Sequence, residues 1–219
     1  PACTGTAFSS ASTCPDADPG ARIYKGLKPG VSREALRAGL ASGQVEALLN
    51  AVPVQAGDCH YLPSGTLHAL GAGILAAEVQ TPSDTTFRVF DWNRLTAEGK
   101  PRQLHVEEAL ACTDFDPPPP GTRAAPESLS RVRLVDCPYF TLDRLGFAPG
   151  APVRLDEPAV RVWIILGGQG VITCAAAGAA ATTALAPGDV VLLPGNMQQP
   201  MLRTVANLTL LEARATEKP

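Results

Sequence analysis

The sequence is poor in aromatic side chains, in charge and in long apolar runs. Aromatic residues make up 5% and charged residues 18% of the 219 residues, and the net charge is only −3. Nucleic acids and anionic membranes attract strongly basic proteins, so the lack of a Lys/Arg excess argues against both as partners. The longest uninterrupted apolar run, Val162–Leu166, is far shorter than the roughly 20 residues that span a bilayer. The composition therefore predicts a soluble globular protein.

The sequence also lacks clustered cysteines, and no C-x-x-C pair is present to chelate a metal. The six cysteines are scattered along the chain: Cys3, Cys14, Cys59, Cys112, Cys137 and Cys174. This pattern favours reduced thiols in a cytoplasmic protein. The sequence starts at Pro1, without the charged and apolar regions of a signal peptide, and we expect it to be a fragment.

Glycine and proline, in contrast, are frequent. The 20 glycines and 21 prolines together make up about 19% of the 219 residues, compared with an average of about 12%. This excess predicts many turns. Ser32 can cap a helix, and the apolar spacing predicts a mainly helical segment over 32–49. Residues 103–110 read as a short helix, whereas residues 1–20 show no period typical of a helix or strand. Short apolar runs predict strands over Cys59–Leu62, Ile74–Gln80, Thr85–Phe90, Ser130–Asp136, Tyr139–Leu145, Val160–Leu166, Gly170–Thr173, Val190–Leu193 and Leu208–Ala213.

A proline run and an internal repeat indicate two β-domains. Pro117–Pro120 cannot join a β-ladder, and we place a linker over 116–126 between domains at 1–115 and 127–219. The segment 57–65 is repeated at 188–196: both start with Gly-Asp, continue with four strand residues and end the strand with Pro. Such self-similarity across a linker predicts two copies of one β-domain.

The first copy continues into a motif that can place a histidine in a metal site. In Gly57-x5-Pro63-x-Gly65-x2-His68, a turn starts a strand, Pro63 ends it, and Gly65 allows the reversal that starts the returning strand at His68. This spacing resembles the second conserved motif of the cupin superfamily, small β-barrels with a metal in the mouth. A half-buried histidine in an ordinary hairpin is the alternative.

The run that follows His68 is more specific. It contains H-A-x-G at 68–71, E-x-Q-x-x-S-D-T-T-x-R at 78–88 and F-D-W-x-R at 90–94. Residues 19–110 resemble the bacterial type I-like mannose-6-phosphate isomerases throughout, except that Phe90 replaces a Tyr. The resemblance implies an all-β fold of two cupin-type jelly-roll β-barrel domains with a short helical insertion. It also implies zinc-dependent interconversion of mannose 6-phosphate and fructose 6-phosphate through an enediol.

By the same resemblance, three residues have roles in that reaction. His68 is a zinc ligand, Arg88 stabilises the negative charge of the enediolate, and Glu78 is the acid/base or substrate-positioning group. Each has an alternative: Glu78 can be a solvated strand residue, and Arg88 can pair with Asp84 or Asp91. His60, in the preceding strand, is not expected to be a ligand, and His105 is expected to be structural. Lys100, Arg94 and Arg102 remain unassigned as phosphate-binding candidates.

The other zinc ligands of the resembled family are missing. A catalytic zinc takes about three protein ligands, but residues 1–15 contain no His, Glu or Asp, and no H-P or K-T-E-x-W segment is present. We therefore expect an N-terminally truncated or degenerate relative with weak zinc binding and little turnover. In the second copy, Gln199 replaces the histidine found at position 68 of the first copy, and Asn196 replaces Gly65. The role of the second copy is therefore expected to be structural. A non-catalytic sugar-phosphate-binding cupin is the alternative function, and a dioxygenase is disfavoured because no His-x-His pair is present.

Overall fold

The computed structural model divides the chain into two units, Pro1–Gly121 and Thr122–Pro219. It describes residues 3–6, 9–83, 85–92, 94–126, 128–150, 152–155, 157–176 and 179–216. Within these ranges no helix is long and apolar enough to cross a membrane. The division between the units falls inside the segment 116–126, where the sequence predicts a linker.

The first unit is built from two antiparallel sheets. Its strands are β1 Cys3–Thr6, β2 Ser10–Ala17, β3 Arg22–Leu27, β4 Leu49–Pro53, β5 Asp58–Leu62, β6 His68–Leu70, β7 Ile74–Gln80 and β8 Thr86–Phe90. One sheet has the order β4-β3-β6-β1-β8, and in the other β2 lies between β5 and β7. Helix α1 (Arg33–Ser42), a 3-10 turn (Val45–Leu48) and helix α2 (Val106–Cys112) complete the unit.

The helical insertion follows the cap signals of the sequence. The Ser32 hydroxyl accepts a hydrogen bond from Ala35 N at 3.2 Å, and Gly43 ends α1 with a φ of 70°. Apolar residues of α1, the 3-10 turn and α2 form one core with the larger sheet: Tyr24, Leu27, Leu36, Val45, Leu49, Leu67, Ala69, Val89, Ala109 and Leu110. The segment 32–49, predicted to be mainly helical, contains α1 over 33–42 and the 3-10 turn over 45–48, whereas α2 starts three residues later than predicted.

The second unit is also made of antiparallel strands. They are β9 Thr122–Arg123, β10 Val132–Asp136, β11 Phe140–Phe147, β12 Val153–Arg154, β13 Arg161–Gly167, β14 Gly170–Ala176, β15 Ala179–Leu185, β16 Val190–Leu193, β17 Gln198–Thr204 and β18 Leu208–Ala215. Its sheets have the orders β10-β11-β18-β13-β16 and β12-β17-β14-β15. The all-β prediction is confirmed in both units. Sequence reasoning missed β1 to β4, β9, β12, β15 and β17.

The two copies of the repeat form the same turn. Gly57 and Gly188 have φ values of 90° and 91°, a region that favours glycine. The Asp58 carboxylate accepts a hydrogen bond from Gln55 N, and the Asp189 carboxylate accepts one from Ala186 N. The sequence repeat therefore corresponds to a structural repeat, in which each aspartate closes the turn that starts its strand.

Candidate functional site

Lys25, His68 and Arg88 lie in one row across the larger sheet of the first unit. The backbone of His68 is in register with Lys25 on one side and with Thr4 on the other, and Thr4 is in register with Arg88. Residues directly opposite each other in antiparallel strands share a face of the sheet. We call Lys25, His68, Thr4 and Arg88 the lysine row.

Glu78 lies in a second row, on the smaller sheet. Ser12 of β2 is in register with Glu78 of β7 and with His60 of β5. We call Glu78, Ser12 and His60 the glutamate row. His60 is buried, with 4% of its surface exposed, whereas Glu78 is exposed.

The two rows face each other across the interior of the first unit. Side chains alternate along a strand, so Ile23 and Leu70 share the face of the lysine row, and Cys14 and Ile74 share that of the glutamate row. Ile23 and Cys14 belong to one apolar core, against which Leu70 and Ile74 also pack. This core lies beside the rows and holds the sheets together, leaving the polar side chains in the space between them.

His68 is held in an orientation that suits a metal ligand. Its Nδ1 lies 2.9 Å from Thr66 O, and because a carbonyl only accepts, Nδ1 carries the proton. In the neutral ring the lone pair is then on Nε2. Burial lowers the pKa of His68 below its usual value, although the Thr66 carbonyl and the charge of Glu78 act in the opposite direction. The neutral imidazole therefore predominates at neutral pH.

Arg88 does not form the ion pair with Asp91 that the sequence allowed. Asp91 instead pairs with Arg94 and Arg102, which accounts for two of the unassigned cations. Asp84, the other suggested partner of Arg88, lies outside the described residues. The Nε atom of Arg88 is buried and has no hydrogen-bond partner in the described part of the chain. A buried guanidinium nitrogen without a partner is expensive, which favours a ligand-binding function.

A cavity of about 1140 Å³ opens between β3, β4 and the proline segment of the first unit. Lys25 and His60 are among the residues that line it, one from each row. The Lys25 side chain is 4% exposed, and its Nζ donates a hydrogen bond to Pro119 O at 2.6 Å. Burial lowers the pKa of Lys25 to about 8, so most of the amine is charged at pH 7. Sequence reasoning missed Lys25 because β3 was not predicted.

The described side chains do not complete a zinc site. Among them, no group of three or more His, Cys, Asp or Glu residues is close enough to hold a metal ion. His68 fits as one ligand, but a zinc site needs about three. The donor set of the described residues therefore does not fit a catalytic zinc by itself.

Comparison with known proteins agrees with the resemblance seen in the motifs. No family model matches the chain. The mannose-6-phosphate isomerase of Streptococcus mutans is 36% identical over 184 residues, which cover 83% of this chain and 56% of that protein. The chain is related to the mannose-6-phosphate isomerases. It spans about half the length of the curated relatives it matches.

Solved structures of mannose-6-phosphate isomerases share the fold. The Bacillus subtilis enzyme superposes with a TM-score of 0.74 at 26% identity, covering 94% of this chain and 64% of that one. Another mannose 6-phosphate isomerase structure, bound with zinc and yttrium, has a TM-score of 0.61 at 15% identity and covers 95% of this chain and 66% of its own. The predicted family resemblance and the predicted cupin-type, all-β fold class are confirmed.

Proposed function

We propose that this chain has the function of a mannose-6-phosphate isomerase, the interconversion of mannose 6-phosphate and fructose 6-phosphate. The observation that carries the proposal is the sequence identity of 36% to such an enzyme over most of the chain. The two polar rows support it: His68 and Arg88 share one row, and Glu78 of the other row is close enough to His68 for their charges to interact. The free thiols among the described residues and a sugar-phosphate substrate favour a cytoplasmic location.

The proposed chemistry is a proton transfer between C1 and C2 of the open-chain sugar through an enediol. This reaction needs a base at the proton and a positive group at the oxygen where negative charge develops. We assign the first role to the Glu78 carboxylate and the second to the guanidinium of Arg88. His68 lies between them in the arrangement, in the same row as Arg88 and close enough to Glu78 for their charges to interact.

His68 is the one residue that we propose as a zinc ligand. One related structure is bound with zinc, and the His68 imidazole presents Nε2 as a ligand atom. The described residues supply no second or third donor beside His68, so the proposed reaction uses the protein side chains alone. Unit 2 is proposed to be a degenerate, non-catalytic copy.

The second candidate function is non-catalytic binding of a sugar phosphate. The incomplete donor set among the described residues favours it directly, because an interior that keeps Arg88 and Lys25 without a metal site can still bind an anionic sugar. The two functions make the same prediction for binding and opposite predictions for turnover.

The test is to incubate the purified chain with mannose 6-phosphate and zinc in D2O and to follow the sugar by NMR. Isomerisation produces fructose 6-phosphate, and exchange of the transferred proton with solvent places deuterium at C1 of that product and, through the reverse reaction, at C2 of mannose 6-phosphate. Arg88→Met is expected to lower the rate at least 100-fold, in line with the loss of one group that stabilises an oxyanion. Arg37→Met is the matched control, because Arg37 is an exposed cation paired with Glu107. Binding of the substrate without fructose 6-phosphate or deuterium exchange would reject the isomerase and leave the binding function.

A further inference from the structure

Resting on the proposed function, we infer that Lys25 binds the phosphate group of the sugar phosphate, a role that the sequence motifs do not assign. Lysine is rarely found fully buried without a partner of opposite charge, because desolvation of the ammonium is expensive. Lys25 is 4% exposed, and no ion pair of Lys25 is found among the described residues.

Within the described residues, the Lys25 side chain has one hydrogen bond, and this bond does not account for its charge. An ammonium has three N–H donors, and Nζ donates one of them to Pro119 O. A neutral side chain such as glutamine could tether the proline segment equally well. The remaining donors lie at the wall of a cavity large enough for a hexose phosphate.

The charges around the cavity also favour an anion. Its lining contains three cations, Arg22, Lys25 and Lys28, and a single carboxylate, Glu46. Glu46 is already engaged, since its carboxylate accepts hydrogen bonds from the Tyr24 hydroxyl and from Trp92 Nε1.

Among the three cations, Lys25 is the one that points into the interior. Lys28 is exposed and donates to Ala47 O at 2.8 Å, and Arg22 is exposed on the opposite face of β3 from Lys25. Lys25 also belongs to the row that contains His68 and Arg88.

The spacing along the row fits an elongated substrate. Lys25 and Arg88 lie on strands three spacings apart, or about 14 Å at ~4.8 Å per strand. Both side chains are long and flexible, so they can approach from opposite ends. The phosphate of an open-chain hexose phosphate then lies at Lys25, and its C1 and C2 lie toward His68 and Arg88.

The test compares binding of inorganic phosphate, mannose 6-phosphate and mannose by NMR titration of the full chain. Lys25→Met is expected to lower the affinity for inorganic phosphate and for mannose 6-phosphate about 10- to 100-fold, the range for one charge-assisted hydrogen bond. Lys25→Arg, which keeps the charge, and Lys28→Met, which removes a cation from the same cavity wall, are expected to stay within about threefold of the wild type. Mannose, which lacks the phosphate, should show no dependence on Lys25.

Three results would overturn the inference: equal phosphate affinity in Lys25→Met, an equal loss in Lys28→Met, or no phosphate binding by the wild type at millimolar concentration. If Lys25→Met does not fold, the wild type carrying ¹³C-methylated lysines gives the answer. The Lys25 resonance, identified by its absence in Lys25→Arg, must shift on phosphate addition while that of Lys28 does not. The isomerase assay is independent of these measurements. Phosphate binding through Lys25 without turnover rejects the proposed activity alone, and turnover unaffected by Lys25→Met rejects the phosphate site alone.

Discussion

The buried carboxylate of Glu212 allows a quantitative prediction of how much one side chain stabilises the second unit. Glu212 is 1% exposed and accepts hydrogen bonds from Trp163 Nε1 at 2.8 Å and from Arg214. It also pairs with Arg131, and the Arg161 guanidinium lies 3.7 Å away. Every contact in this cluster is internal, so we interpret it as a structural network that stabilises the unit.

Glu212→Gln keeps the shape of the side chain and removes its charge. The loss of one member of a buried ion pair typically costs 3–5 kcal/mol. Arg131 and Arg214 can be rehydrated, because their side chains are 44% and 24% exposed, but Arg161 is 4% exposed and cannot. We therefore expect the low end, a loss of about 3 kcal/mol in the free energy of unfolding. Glu157→Gln is the control: it also pairs with Arg214, but at 49% exposure it should cost less than about 1 kcal/mol.

The assay is urea denaturation followed by tryptophan fluorescence in a Trp92→Phe background, where Trp163 of the second unit is the remaining tryptophan. Burial by itself raises the pKa of Glu212, but the hydrogen bonds from Trp163 and Arg214 and the nearby arginine charges outweigh it and lower the pKa below 4.5. Because the pKa is lowered in the folded state, the ionised Glu212 stabilises the fold at pH values above the usual pKa of glutamate. This stabilisation is lost as the pH falls through the folded-state pKa. The difference between wild type and Glu212→Gln should therefore shrink in acid. A loss below about 1 kcal/mol at pH 7, or a loss equal to that of Glu157→Gln, would refute the structural interpretation.

Two further predictions concern the first unit. Calorimetric titration with zinc should show binding weaker than micromolar, because one imidazole does not replace a set of about three ligands. His68→Ala should abolish this binding. Stoichiometric sub-micromolar binding would mean that ligands have been missed. Gly26→Ala should cost about 1–3 kcal/mol more than Gly30→Ala in urea denaturation followed by Trp92 fluorescence. Both glycines have positive φ, but the added methyl group would lie 2.6 Å from Pro118 at Gly26 and in open space at Gly30. Equal losses of unfolding free energy in the two variants would contradict the close packing of the proline segment.

The sequence identified the candidate site only in part, and the reason is physical. His68, Glu78 and Arg88 were predicted from the motifs at 57–68 and 78–88 and from the family resemblance that these motifs carry, and their roles stay predictions. Lys25 was missed because β3 is buried on both faces, one against the helices and the other toward the cavity, so it lacks the alternation that reveals a half-exposed strand. Strand β2 was missed for the same reason, since its first five residues are all buried and small or polar.

The repeat shows which part of the motif specifies structure and which part specifies chemistry. In both copies the glycine has a positive φ, the aspartate closes its turn, and the proline carbonyl that ends the strand accepts a hydrogen bond from the residue three positions later. The copies differ where the returning strand starts: His68 bonds to Thr66 O, whereas Gln199 has a φ of 48°. In both copies the strand that ends at the proline and the strand that follows lie in different sheets, so the motif forms a crossing between two sheets rather than a hairpin. The residue five positions after the proline decides whether this crossing can supply a metal ligand, and only the first unit has a histidine there.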